Sequence, residues 1–158
     1  MGYTSQRGGG FSGARMKFSK SSDLALHGLW QLAVKKKKML LVAEMARAQK
    51  VSETYLAKVF QKLARRGLVK STRGKKGGFT LAKTPAEIAI TDVVRAIETD
   101  EPLFTCLGPD RGCRGGDQCE LRKVFAEAEQ RLYETLSKYT FKDLIERSRA
   151  DCRKAWLG

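Results

Sequence analysis

Between residues 52 and 81 the chain changes its period, and this change constrains the fold more than any other feature. Leu56, Val59, Phe60 and Leu63 stand at i, i+3, i+4 and i+7, the spacing of one helix face. Ser52 precedes them as a helix cap, and Gly67 follows Arg65 and Arg66 as a stop. Two short β-prone runs come next, 68–73 and 79–81, around the tip Gly74-Lys75-Lys76-Gly77-Gly78. That arrangement predicts a hairpin. Upstream, Leu41, Val42, Met45 and Ala46 predict a short helix over 41–49, with a turn at Lys50-Val51. Before it, Leu24, Ala25, Leu29, Leu32 and Ala33 make the apolar face of another helix, with Trp30 at its edge. Ser21 or Ser22 suits its N-cap, Asp23 its first turn, and the lysine run 35–38 its C-terminal end. Three helices and a hairpin in that order predict a winged helix-turn-helix.

Downstream the pattern is helical again. A short helix is predicted over 90–97, followed by the acidic residues Glu98, Asp100 and Glu101 and by Pro102. From Cys119 a long helix carries an apolar stripe of Leu121, Val124, Phe125, Ala128, Leu132, Leu136 and Tyr139. A lone amphipathic helix has to bury such a stripe, on a two-fold partner or back on its own domain. A last helix is expected from Thr140 or Phe141. The fold class is therefore mainly α with a small β-hairpin wing: a winged helix-turn-helix plus a long dimerisation helix. The expected division is a flexible tail over 1–15, a DNA-binding domain over 16–83, a short helix and cysteine loop over 84–119, and dimerisation and C-terminal helices over 120–158. The tail is rich in Gly and Ser, and Met16, where the patterned sequence begins, reads as an alternative start.

Charge says what the first domain meets. Residues 16–83 hold 17 lysines and arginines against three acids, an excess equal to the formal charge of +14 on the whole chain. Such a concentration calls for a polyanionic partner, here double-stranded DNA. In a helix-turn-helix the N-terminal part of the second helix faces base edges. Ser52, Thr54, Tyr55 and Lys58 occupy those places. Lys58 suits guanine acceptors, and the hydroxyls suit bases or phosphates. Lys62 suits phosphate, as do Gln61, Arg65 and Arg66. Arg73 at the hairpin tip suits a narrow minor groove, with Lys75 and Lys76 beside it. No apolar run approaches a membrane span and no secretory segment is evident, so a cytoplasmic protein is expected.

Three of the four cysteines lie in Cys106-Leu-Gly-Pro-Asp-Arg-Gly-Cys113-Arg-Gly-Gly-Asp-Gln-Cys119. In a reducing compartment such a cluster points to metal or thiol chemistry rather than disulfides. The C-x6-C-x5-C spacing is not the C-x2-C of zinc knuckles. It suits a loop wrapped around an iron–sulfur cluster, with glycines letting the backbone turn sharply. Cys119 falls at a predicted helix N-terminus, where the dipole suits negative charge. A zinc site and a thiol redox switch stay open on spacing alone. Cys152 reads as an incidental thiol, and His27, the single histidine, as structural or surface.

From Met16 onward the chain resembles the winged-helix iron–sulfur regulators that include IscR, NsrR and RirA. The resemblance rests on MKFSKSSDLALHGL, on VSETYLAKVFQKLARRGLVKSTRGKKGGFTLAK and on CLGPDRGCRGGDQC. It implies a homodimer crossed by its long helices, a palindromic operator, and a [2Fe–2S] or [4Fe–4S] cluster on Cys106, Cys113 and Cys119. The IscR-like branch adds a histidine three residues past the third cysteine, where this chain has Arg122. The NsrR-like branch adds an aspartate near the N-terminus, from the other subunit, and Asp23 matches it. Oxygen is a weaker partner for iron than thiolate, so such a site would be labile. The first cysteine gap is one residue longer than the family's usual five. The resemblance implies a transcription regulator, usually a repressor, responding to iron, cluster status, nitric oxide or redox state. A cluster-free thiol- or ligand-sensing repressor of the same fold is the alternative. An iron–sulfur electron carrier fits the basic head poorly. No nucleotide-binding glycine motif and no His/Asp/Ser constellation supports an enzyme.

Overall fold

A computed structural model describes residues 18–35, 39–72, 74, 77–98, 102–108 and 116–148. The expected tail at 1–15, Arg73, Lys75, Lys76, Cys113 and Cys152 lie outside the described residues. Among these residues the order is α1 (Lys20–Lys35), β1 (Leu40–Leu41), α2 (Val42–Ala48), α3 (Glu53–Arg65), β2 (Val69–Thr72), β3 (Gly78–Leu81), α4 (Ile90–Glu98), α5 (Glu120–Ser137) and α6 (Phe141–Arg147). One-turn 3-10 helices cover Pro85–Glu87, Thr105–Leu107 and Gly116–Gln118.

The winged helix-turn-helix forms as its periodicity requires. Leu56, Val59, Phe60 and Leu63 of α3 are all buried. They meet Leu24, Ala25, Leu29 and Leu32 of α1 and Met45 and Ala46 of α2 in a single core. Each fully buried large side chain contributes roughly 1.5–3 kcal/mol, so α3 is held by packing more than by propensity. Ser52 caps it, its Oγ accepting the Tyr55 amide at 3.3 Å. Gly67 ends it with φ +69°, a left-handed backbone that glycine adopts without strain. The Leu68 amide then donates to the Leu63 carbonyl at 3.0 Å.

Three features depart from the sequence reading. α1 starts before Ser21, and Ser19 takes the capping position, its Oγ and carbonyl both accepting from the Ser22 amide. Ser22 is buried and uses its hydroxyl elsewhere, which removes it from that role. The wing is part of a three-stranded antiparallel sheet in the order β1-β3-β2, with Leu40 opposite Phe79. A two-residue strand is too short to leave a period in the sequence.

The third departure is the stripe on α5. It is split. Phe125 stacks on Phe104 at 4.3 Å between ring centroids, and Arg95 of α4 lies over the Tyr133 ring. Leu121 and Val124, by contrast, are each 59% exposed, and no residue of α5 is buried. α6 returns to the first half of the fold. Phe141 is buried in the common core, and its amide donates to the Ile88 carbonyl at 3.1 Å. Thr140 and Asp143 cap α6 reciprocally. Among the described residues no helix is long and apolar enough to cross a membrane.

Candidate nucleic-acid interface and cysteine loop

The buried face of α3 dictates what its remaining faces can do. Ser52, Glu53, Thr54, Lys58, Gln61 and Lys62 are exposed. Thr54, Ala57 and Gln61 line one side of a groove of about 430 Å³, and Ser71 and Thr72 of β2 line the other. This groove lies between the second helix and the wing, the two parts that a winged helix-turn-helix brings to DNA. Ser52 spends one lone pair on its helix cap and remains exposed.

Tyr55 reaches toward α1, and the charge of Lys62 is felt at Glu98 on α4. The Tyr55 hydroxyl lies 3.0 Å from Ser21 Oγ in the first turn of α1. In that same turn the Ser22 hydroxyl donates to Glu98 Oε1 at 2.6 Å, and the Ser19 amide donates to the same oxygen at 2.7 Å. Glu98 ends α4, just before the acidic stretch that leads to the cysteines. Partial burial alone would raise its carboxyl. The Ser22 hydroxyl, the Ser19 amide and hydroxyl, and nearby Lys62 outweigh that and hold it below the ordinary 4.5. One helical turn therefore joins α3 to α4. Asp23 sits in this turn with its side chain exposed. Its backbone carbonyl lies 2.8 Å from His27 Nδ1, so His27 braces α1 from within.

Two cysteines, Cys106 and Cys119, lie among the described residues. Cys119 is its N-cap residue and makes no side-chain capping hydrogen bond. Cys106 lies in the 3-10 turn Thr105–Leu107. Both are half-buried and neither is in a disulfide. Arg122, at the position where the IscR-like branch has histidine, donates through Nη1 to the Cys106 carbonyl. Leu103 donates its amide to Glu129 Oε2 at 3.1 Å. Two thiols on tethered backbone, one at a helix N-terminus whose N-cap side chain makes no capping hydrogen bond, are a donor set that suits thiophilic iron. Among the described residues no three His, Cys, Asp or Glu side chains converge; Cys113 lies outside them.

Sequence reasoning missed Glu98, Glu129 and the tie made by Arg122. Glu98 meets partners 76 and 79 residues away, and no local spacing signals a contact of that range.

Residues 18–147 match the family described as Rrf2, iron-dependent transcriptional regulator. The chain belongs to the Rrf2 family. The relatives of this Rrf2 chain include the HTH-type transcriptional regulator NsrR of Shouchella clausii, 33% identical over 132 residues, 82% of this chain and 89% of that one. The HTH-type transcriptional regulator IscR of Serratia proteamaculans is 33% identical over 104 residues, 66% of this chain and 63% of that one. The fold is that of T. potens IscR, with a TM-score of 0.68 at 24% identity over 85% of this chain and 90% of that one. It is also that of CymR of B. subtilis, with a TM-score of 0.64 at 24% identity over 84% and 98%. The chain is thus an Rrf2 transcriptional regulator, a DNA-binding protein and not an enzyme.

Proposed function

We propose that this Rrf2 regulator is a homodimeric repressor of a palindromic operator whose affinity is set by an iron–sulfur cluster, [2Fe–2S] or [4Fe–4S]. The cluster's ligands are Cys106, Cys113 and Cys119 of one subunit and Asp23 of the partner subunit. Bound there, a cluster supplies a link sensitive to iron, oxygen or nitric oxide between the loop of one subunit and the first helix of the other.

The observation that carries this reading is the first turn of α1. It holds Asp23, the candidate fourth ligand, and is bonded to the reader helix through Ser21 and Tyr55. It is also bonded to the end of α4 through Glu98. A pull on Asp23 is therefore felt at α3 within one hydrogen bond. Half-site spacing on a palindrome is geometrically strict, so a small rotation of α3 changes affinity by a large factor. The exposed Leu121 and Val124 supply the apolar surface that a second copy covers.

On this reading Thr54 and Lys58 of α3, together with Arg73, Lys75 and Lys76 of the wing, face the duplex. Ser52 caps the helix they stand on, and Tyr55 and Lys62 set its angle. The test uses anaerobic protein and duplexes selected from a random pool. Binding should fall steeply with salt, and Lys58→Ala should lower the salt slope by about one. Alanine at Cys106, Cys113 or Cys119 should remove iron and change operator affinity together. Unchanged iron content and unchanged regulation in all three variants would sink the cluster reading and leave the thiol- or ligand-sensing alternative.

A further inference from the structure

The backbone around Cys106 is fastened to α5 at three points. The Leu103 amide donates to Glu129, the Phe104 ring lies nearly parallel on Phe125 at an interplanar angle of 3°, and Arg122 donates to the Cys106 carbonyl. The helix partners stand at 122, 125 and 129, spacings of three and four, so they share one face of α5. The contacts differ in kind. The first two hold residues that precede the cysteine. The third runs to the peptide unit of Cys106 itself, from a side chain one turn beyond Cys119, the N-cap of the same helix. Arg122 thus joins the backbone of one candidate ligand to the helical turn headed by another. A guanidinium is always charged, and its donors sit in a rigid fork. A charged donor on a carbonyl makes a stronger bond than a neutral one.

We infer that Arg122 is a positioning residue that holds Cys106 in place relative to Cys119. The two thiols are then arranged before iron arrives, and a bound cluster leaves slowly. Arg122 ligates nothing in this account; it acts through the backbone of a ligand. The inference rests on the cluster reading above and adds to it a residue outside the ligand set.

The experiment compares the full-length wild type with Arg122→Gln, Arg122→Lys and Phe125→Leu. The last weakens the neighbouring ring contact, leaves the guanidinium, and so sets the size of a purely structural effect. The first readout is hydrogen exchange in reduced, metal-free protein. The Leu107 amide, bonded to the Phe104 carbonyl at 2.9 Å, reports on the turn. Arg122→Gln should speed exchange over residues 103–108 at least about tenfold while α5 beyond residue 126 is unchanged, with Arg122→Lys in between. The second readout is the decay of the visible band after a ferrous chelator is added to anaerobically reconstituted protein. Arg122→Gln should decay several-fold faster than wild type and faster than Phe125→Leu. Equal exchange in wild type and Arg122→Gln overturns the inference, as does a decay no faster than that of Phe125→Leu. A wild type that takes up no iron overturns the cluster reading instead, and the exchange readout then still decides whether Arg122 positions the turn.

Discussion

The helices α3 and α5 are built to opposite plans. α3 has 13 residues and buries four large apolar side chains within its own chain. α5 has 18 residues and buries none. Both are amphipathic, so the difference lies in what faces them. α3 is closed in by α1, α2 and the sheet. α5 has Phe104 and Arg95 along one side and open surface at Leu121 and Val124. A head whose core is complete can keep its shape while it moves. On the proposed reading, a second copy covers the exposed apolar residues of α5, and the assembly, not the single chain, is then the unit that senses.

The sharpest way to break this contrast is to make matched substitutions in the two helices. Leu63→Ala in α3 removes a fully buried side chain and should cost about 2–5 kcal/mol of unfolding free energy in denaturant titrations. Val124→Ala in α5 should change the same quantity by less than about 0.5 kcal/mol when measured on dilute, monomeric chain. Equal losses would mean that α5 is packed within its own subunit. The double change Leu121→Asp and Val124→Asp should leave the far-ultraviolet circular dichroism intact, halve the mass in sedimentation and weaken operator binding by about 100-fold or more.

Gly28 probes the closed side more finely. A Cβ there would run into the Phe60 ring, whose Cζ and Cε2 atoms lie closest. Gly28→Ala should therefore cost about 1–3 kcal/mol through overpacking, despite the better helix propensity of alanine. A stabilised variant would show that α1 and α3 are free to separate.

The head was legible in the sequence because its signals are local. The spacing of Leu56, Val59, Phe60 and Leu63, the cap at Ser52 and the stop at Gly67 each act within a few residues. In the cysteine loop, spacing names the thiols without saying what holds their backbone, because the ties from Arg122 and Glu129 come from tertiary packing. Ser22 illustrates the limit: local signals offer it as an N-cap, whereas it lies inside α1 and its bond to Glu98, 76 residues on, is a product of tertiary packing. In the sequence the stripe on α5 is continuous. Its division into packed Phe125 and exposed Leu121 depends on where the 3-10 turn at Thr105–Leu107 lands.

A smaller effect should appear in acid. The Glu98 carboxyl is held below its ordinary 4.5 in the folded chain, so its ionised form favours folding. That contribution is present above the ordinary value and is lost as pH falls through the depressed folded value. Glu98→Gln should flatten the acid limb of a thermal-stability profile below about pH 4.5, and weaken the bond between α4 and the first turn of α1 at neutral pH. The smallest change concerns Lys50, which carries φ +53° after α2. Lys50→Gly should relieve that left-handed strain and raise the melting temperature slightly, by the equivalent of about 1 kcal/mol or less.

The central claim is that cluster and operator share one equilibrium. It is tested most directly by following both on one anaerobic sample. Iron, sulfide and the visible absorption are measured together with affinity for a selected duplex, before and after removal of iron by a chelator. The account predicts a brown protein with matched iron and sulfide, and an operator affinity that shifts at least tenfold as the colour is lost and returns on reconstitution. A colourless protein after anaerobic reconstitution, or an affinity indifferent to the loss of the band, would contradict it.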